Sequence, residues 1–182
     1  NLSSNRLNLT HLDNQKLDAV YIPLPNSLHY EWTKKAFEKN LNVLVEKPMA
    51  LEFKEVVELN NLAKKKSLVL IENFQFRFHE QILCLKNLVR SGKIGSLRNI
   101  KSYFGFPIFN DKNNIRYKKD LGGGALLDVG AYPLKISQIF LGQDISIKNA
   151  ILEIPNDKEV DFWGSATVKQ NNGNLVSQIA FG

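Results

Sequence analysis

Apolar positions in the first seventy residues form three short runs separated by helix-spaced stretches. LDAVYI (Leu17 to Ile22), NVLVEK (Asn42 to Lys47) and SLVLIENF (Ser67 to Phe74) are rich in β-branched and aromatic residues and read as buried strands. Between them, Leu28, Trp32, Ala36 and Phe37 recur at helical spacing behind Ser27, a residue suited to an N-cap. Phe53, Val56, Val57 and Ala63 mark a second helix. Strands alternating with helices imply right-handed crossovers and a parallel sheet, half of a doubly wound domain.

After residue 73 the pattern changes. A third helix from Phe78 to Arg90 carries Ile82, Leu85, Leu88 and Val89 and closes at Gly92. A partly alternating strand, Leu97 to Phe106, leads into a polar loop and then a helix from about Gly124 to Leu141. Three further strand-like stretches, near 145–154, 160–169 and 175–181, are joined by PND and QNNGN turns. Short turns favour antiparallel pairing, so the second half reads as an α+β domain with a largely antiparallel sheet. The expected class is α/β, a partial parallel sheet followed by that domain.

Composition narrows the functions. The chain has 182 residues, 43% hydrophobic and 23% charged, enough for a sizeable core. No apolar run reaches membrane-spanning length, so a membrane is not an expected partner and a cytoplasmic setting is expected. Its one cysteine, Cys84, excludes an internal disulfide and falls on a leucine-rich helical pattern, where a packed thiol is expected. The net charge of +6 comes from scattered lysines without a nucleic-acid reader motif, and Lys64 to Lys66 end a helix, where they complement its dipole. Nucleic acid is therefore not an expected partner. His11, His29 and His79 are far apart and lack ligand spacing, so no metal is expected. Asn1 to Asn14 is polar and reads as a frayed end.

Two stretches carry candidate chemistry. NVLVEKP puts Glu46 and Lys47 at the carboxyl end of a strand, the edge where open α/β sheets bind ligands, and Pro48 keeps Lys47 extended. A surface ion pair beside a turn is the plainer alternative. LGGGALLDVGAY, Leu121 to Tyr132, opens with three glycines that do not match GxGxxG. Asp128 and Tyr132, four apart, share one helix face, with Lys135 a turn further on. A hydrogen-bonded polar pair near a domain boundary is the alternative there.

PLPNSLHYEWTKKAFEKNLNVLVEKPMA together with GGGALLDVGAYPL resembles the Gfo/Idh/MocA oxidoreductases, the group that includes glucose-fructose oxidoreductase and inositol dehydrogenase. The resemblance runs from about Asp18 to the end of the chain. It implies that residues 1–72 are the C-terminal half of a Rossmann-type dinucleotide-binding domain. Residues 73–182 would be a substrate and oligomerisation domain, incomplete at its C-terminus. It also implies an NAD(P)-dependent enzyme acting on a sugar-type small molecule as a homo-oligomer, with the choice between NAD and NADP left open.

 Carried over to matching positions, Pro25, Asn26 and His29 lie beside the cofactor, and Glu46 and Lys47 lie near the nicotinamide and its ribose, with Lys47 also reaching the substrate. Asp128 and Tyr132 match positions that face the substrate, and the Lys47–Pro48 bond is cis in the family pattern.

Many members have histidine where Tyr132 stands. The tyrosine version resembles glucose-fructose oxidoreductase, the dihydrodiol dehydrogenases and, most closely, the ketoreductases of nucleotide-linked deoxysugars, on the stretch NIRYKKDLGGGALLDVGAYPL. In the implied reaction Tyr132 or Lys47 is the acid. A nearby Lys47 cation is expected to lower the phenol from its usual value of about 10. Asp128 orients a sugar hydroxyl or the lysine, and Arg116 either meets a substrate phosphate or is solvated. The family's glycine-rich turn is absent from the sequence, so the chain is expected to be an interior portion of a longer enzyme that binds dinucleotide poorly by itself. A short protein that lost catalysis, or a non-catalytic sensor of sugars or nucleotides, is the alternative.

Overall fold

The computed structural model describes residues 17–111 and 113–182. His11 and the polar stretch Asn1 to Asn14 lie outside them. The first half contains strands β1 (Ala19–Ile22), β2 (Asn42–Glu46) and β3 (Leu70–Asn73), with α1 (His29–Glu38) and α2 (Phe53–Lys66) as crossovers. The strands pair in parallel, as the alternation of elements implies, in the order β1-β2-β3. Val43 and Val45 of β2 point into a core closed by Phe37 and Ala36 of α1 and by Leu59 and Ala63 of α2.

Several local expectations shift. Ser27 does not cap α1. Asn26–Leu28 form a 3₁₀ turn closed by Leu28 N–H donating to Pro25 O (2.9 Å), and α1 starts at His29. On α2 the inward stripe is Val56, Leu59 and Ala63, and Phe53 stands 83% exposed on the other side. The helix has two apolar stripes, and only packing selects one. Its start is fixed by a reciprocal capping box between Glu52 and Glu55.

The second half holds α3 (Glu80–Arg90), β4 (Asn99–Phe104), a π-helical turn (Leu126–Gly130) running into α4 (Ala131–Leu141), and β5 (Ile145–Glu153), β6 (Trp163–Gln170) and β7 (Val176–Phe181). Ile82 is the buried residue of α3, whereas Cys84 is exposed, so the thiol is not packed as expected. β5, β6 and β7 form the antiparallel meander that their short turns dictate. β4 pairs with β7 in parallel, giving the order β4-β7-β6-β5. The sheet is therefore mixed: the chain between β4 and β7 passes through α4 and returns in the same direction. α4 covers one sheet face with Leu141 against Val168 and Ile179, and Ser137 Oγ lies 2.8 Å from Ser177 Oγ beneath it. At the end of β7 the Phe181 ring rests on two glycines. A Cβ on Gly130 would meet it at 3.0 Å and one on Gly164 at 2.6 Å.

Candidate active site

The site begins where β2 ends. Glu46 closes the strand, the Lys47–Pro48 peptide is cis, and Met49 N–H donates to Glu72 Oε1 at 2.9 Å. Glu46 Oε1 accepts from Tyr21 Oη and from Asn73 Nδ2, both at 2.6 Å, so a residue from each neighbouring strand fixes the carboxylate. Together these place Lys47 at the carboxyl edge of the parallel sheet, facing the second half.

Lys47 Nζ donates to the Asp128 backbone carbonyl (2.5 Å) and to Asp128 Oδ1 (3.0 Å). Arg116 Nε donates to the other carboxylate oxygen, Oδ2, at 2.5 Å. Side-chain exposure is 10% for Lys47 and 20% for Asp128, so this pairing is largely withdrawn from water. Burial pushes the Asp128 carboxyl up, but the charges and hydrogen bonds of Lys47 and then Arg116 outweigh it and hold it below the usual carboxylate value.

Tyr132 reaches the same place from the start of α4. Its ring is packed by Phe74 (6.1 Å between centroids), Phe76 (5.7 Å) and Phe104 (4.9 Å), and Lys47 Nζ stands 5.1 Å from the ring centre. Its hydroxyl makes no hydrogen bond among the described residues. The expected lowering of the phenol does not occur. Burial, then the carboxylates of Asp128 and Glu46, raise it above 10.0 against the opposing pull of Arg116. The reason is geometric: Lys47 lies over the ring and its charge is engaged by Asp128.

Asn26, Glu46, Lys47, Arg116, Asp128 and Tyr132 line one cavity of about 260 Å³ between the two halves. Asp128 and Tyr132 share it across a π-helical turn, a wider coil than the α spacing anticipated and one often found at functional sites. Lys135 does not join them; it stands over the Phe74 ring at 5.0 Å. Asn26 Nδ2 donates to Gly122 O (2.8 Å), tying the loop after β1 to the glycine triplet.

Two of the expected cofactor neighbours do not open onto the cavity. His29 is fully buried, with Nδ1 2.7 Å from Pro48 O and Nε2 2.7 Å from Leu24 O, so neither ring nitrogen is free for a ligand. It braces the loops on either side of the cavity. Pro25 is not part of the cavity wall, and its carbonyl closes the 3₁₀ turn. The glycine triplet is likewise no phosphate cradle. Gly122, Gly123 and Gly124 N–H donate to Lys119, Lys118 and Arg116 carbonyls, and Ala125 N–H to Asp161 O. Leu126 N–H donates to Asp161 Oδ2 at 2.6 Å.

Sequence reasoning missed Asp161, which anchors this helix start from the β5–β6 connection. Nothing near it in the sequence marks it. It also missed the aromatic clasp, although the FQF and FGF spacings, Phe74/Phe76 and Phe104/Phe106, hint at it.

Comparison with known proteins supplies the family. Residues 4–74 match the model of the oxidoreductase family with an NAD-binding Rossmann fold, and residues 82–180 match the GFO/IDH/MocA C-terminal domain. The chain belongs to the GFO/IDH/MocA oxidoreductase family. A dTDP-3,4-didehydro-2,6-dideoxy-alpha-D-glucose 3-reductase of Streptomyces violaceoruber is 37% identical over 171 residues, 94% of this chain and 50% of that protein. A D-xylose 1-dehydrogenase (NADP(+)) of Haloferax volcanii is 37% identical over 131 residues, 72% of this chain and 40% of its own length. The crystal structure of a 3-ketoreductase from Actinomadura kijaniata in complex with NADP and TDP-benzene superposes with a TM-score of 0.90 at 35% identity, covering 96% of this chain and 53% of that one. The chain thus spans about half the length of the relatives it matches.

For a nicotinamide cofactor, the residues present fit one end. Asn26, Glu46 and Lys47 lie at the carboxyl edge of a parallel sheet and open onto the cavity, and Glu46 Oε2 has no partner among the described residues.

Proposed function

We propose that this chain is the substrate-facing portion of an oxidoreductase that transfers hydride between NAD or NADP and a carbonyl or hydroxyl carbon of a sugar or sugar nucleotide. The observation that carries this reading is the convergence of Lys47 from the first half and Tyr132 from the second on one cavity. A bound nicotinamide supplies the hydride. The chain's own side chains handle the proton and the orientation.

A phenol held above its ordinary value stays protonated at neutral pH. It can still protonate the growing alkoxide, whose conjugate acid is weaker. Lys47 uses two of its three N–H groups on Asp128, which leaves one for the carbonyl oxygen. Asp128 fixes the lysine, Arg116 offers the outer edge of its guanidinium to an anionic substituent, and Glu46 Oε2 is available to ribose hydroxyls.

The same reading includes a cytoplasmic homo-oligomer. The sheet face opposite α4 exposes Tyr103, Ile151 and Trp163, at 71%, 61% and 52%. Such a face suits a second copy. No helix among the described residues is long and apolar enough to cross a membrane.

The test follows NAD(P)H absorbance while the protein meets a panel of keto-sugars and their nucleotide derivatives. Cofactor oxidation with at least one is expected, and Tyr132→Phe should slow turnover about 10²- to 10⁴-fold with cofactor affinity unchanged. The reductive rate should hold through neutral pH and fall only in the alkaline range, because the raised phenol keeps its proton beyond the ordinary range of a tyrosine. Ligand binding without turnover by the wild-type protein would move the reading to a sensor.

A further inference from the structure

The peptide group between Pro48 and Met49, one residue beyond Lys47, is held at both ends by side chains. Its carbonyl oxygen accepts from His29 Nδ1 at 2.7 Å, and its N–H donates to Glu72 Oε1 at 2.9 Å. His29 opens α1 and is fully buried, and its Nε2 donates to Leu24 O at 2.7 Å, so one ring ties this turn to the loop after β1. Both acceptors are carbonyl oxygens, so His29 donates from both nitrogens. Neither His29 nor Glu72 lines the cavity of Lys47 and Tyr132.

Strand register explains why Glu72 is within reach. It pairs with Val45, so its side chain leaves the sheet on the face that packs against α1 and α2. A carboxylate and an imidazole on that side are costly unless partnered, and one peptide group serves both. The donor at its oxygen and the acceptor at its N–H pull its dipole in the same sense, so each bond strengthens the other.

A clamped peptide plane reaches the lysine with little slack. The plane itself is rigid and the Pro48 ring fixes its φ, so only the ψ of Pro48 separates the clamp from the Lys47–Pro48 peptide. At the far end of the side chain, Lys47 Nζ meets the Asp128 carbonyl at 2.5 Å and Oδ1 at 3.0 Å. Resting on the functional reading above, we propose that His29 and Glu72 are positioning residues that aim the Lys47 amine at the reacting carbonyl by gripping the Pro48–Met49 peptide from opposite ends. Leu24 is part of the cavity wall, so the His29 ring also sets the spacing between that wall and the lysine.

Pulsed acetylation of the protein with acetic anhydride, read lysine by lysine by mass spectrometry, tests this without cofactor or ketone. Glu72→Leu should raise the labelling rate of Lys47 about tenfold, the scale of one charge-assisted hydrogen bond, while Lys34 and Lys35 on α1 label as in the wild type. Glu72→Gln keeps an oxygen acceptor for Met49 N–H and should stay within about twofold of the wild type. His29→Gln donates from a single group and should raise Lys47 labelling about threefold. In turnover assays Glu72→Leu should lower kcat by up to about 100-fold with KM nearly unchanged, the cost of an amine misplaced by about 1 Å. Unchanged Lys47 labelling in Glu72→Leu, or equal labelling in Glu72→Leu and Glu72→Gln, overturns the proposal. Should Glu72→Leu fail to fold, His29→Gln decides, and labelling no faster than the wild type overturns it. The expected labelling pattern in a protein that reduces no ketone would leave the clamp standing and the oxidoreductase reading fallen. Reduction of keto-sugars with Lys47 labelling unmoved by Glu72→Leu would do the reverse.

Discussion

Lys47 and Tyr132 face one cavity but are held there by different means. Lys47 is placed by its own neighbourhood in the chain: a strand end, the following proline, and Glu46 pinned by Tyr21 and Asn73. Tyr132 is placed by packing, its ring clasped by phenylalanines from the end of β3, the turn after it and β4. A group fixed by backbone geometry tolerates changes in distant residues, whereas a group fixed by packing depends on several elements arriving together.

The largest expected effect is on the lysine. Lys47→Ala should reduce turnover about 10²- to 10⁴-fold in steady-state assays, and a normal rate would remove Lys47 from the chemistry. Next comes the carboxylate between the halves. Asp128→Ala leaves Lys47 largely buried without its partner and should cost about 3 kcal/mol in denaturant midpoints at pH 7. Because the folded-state carboxyl is lowered, its contribution is present above the unfolded carboxylate pKa and is lost as pH falls through the folded one. The gap between variant and wild type should therefore shrink below about pH 4.

Gly124→Ala probes the packed side. Its φ is +114° and a Cβ would lie 2.3 Å from Asp161 Oδ1, so a loss of about 1–3 kcal/mol and a displaced π-helical turn are expected. The smallest effect is at the contact between halves: Asn26→Ala removes one hydrogen bond to Gly122 O and should cost about 1 kcal/mol. If it instead lowers turnover as far as Lys47→Ala, the halves are aligned by that loop rather than by the ion pairs.

The same contrast explains what could be read in the sequence. The three parallel strands and their crossovers follow from short apolar runs alternating with helical spacing, and the structure pairs them in parallel. Parallel pairing of β4 with β7 was not legible, because it joins strands that are distant in sequence and depends on how α4 crosses. Nor was the choice of Leu59 over Phe53 as the inward side of α2, or the π-helical turn within LGGGALLDVGAY. Lys47, Asp128 and Tyr132 stood out as residue types out of keeping with their surroundings and as parts of a family pattern. Asp161 did not, because the partner of its side chain lies 35 residues earlier and is a backbone amide.

Phe181 ties the chemistry to the sheet. Its ring fills the bare backbone left by Gly130, just before Tyr132, and by Gly164 on β6. A one-residue slip of β7 would turn that ring to the opposite face. The support beneath the tyrosine's helix would go with it. Correct strand alignment is thus a precondition for an aligned proton donor, and a misregistered chain would lose function before it lost its outline.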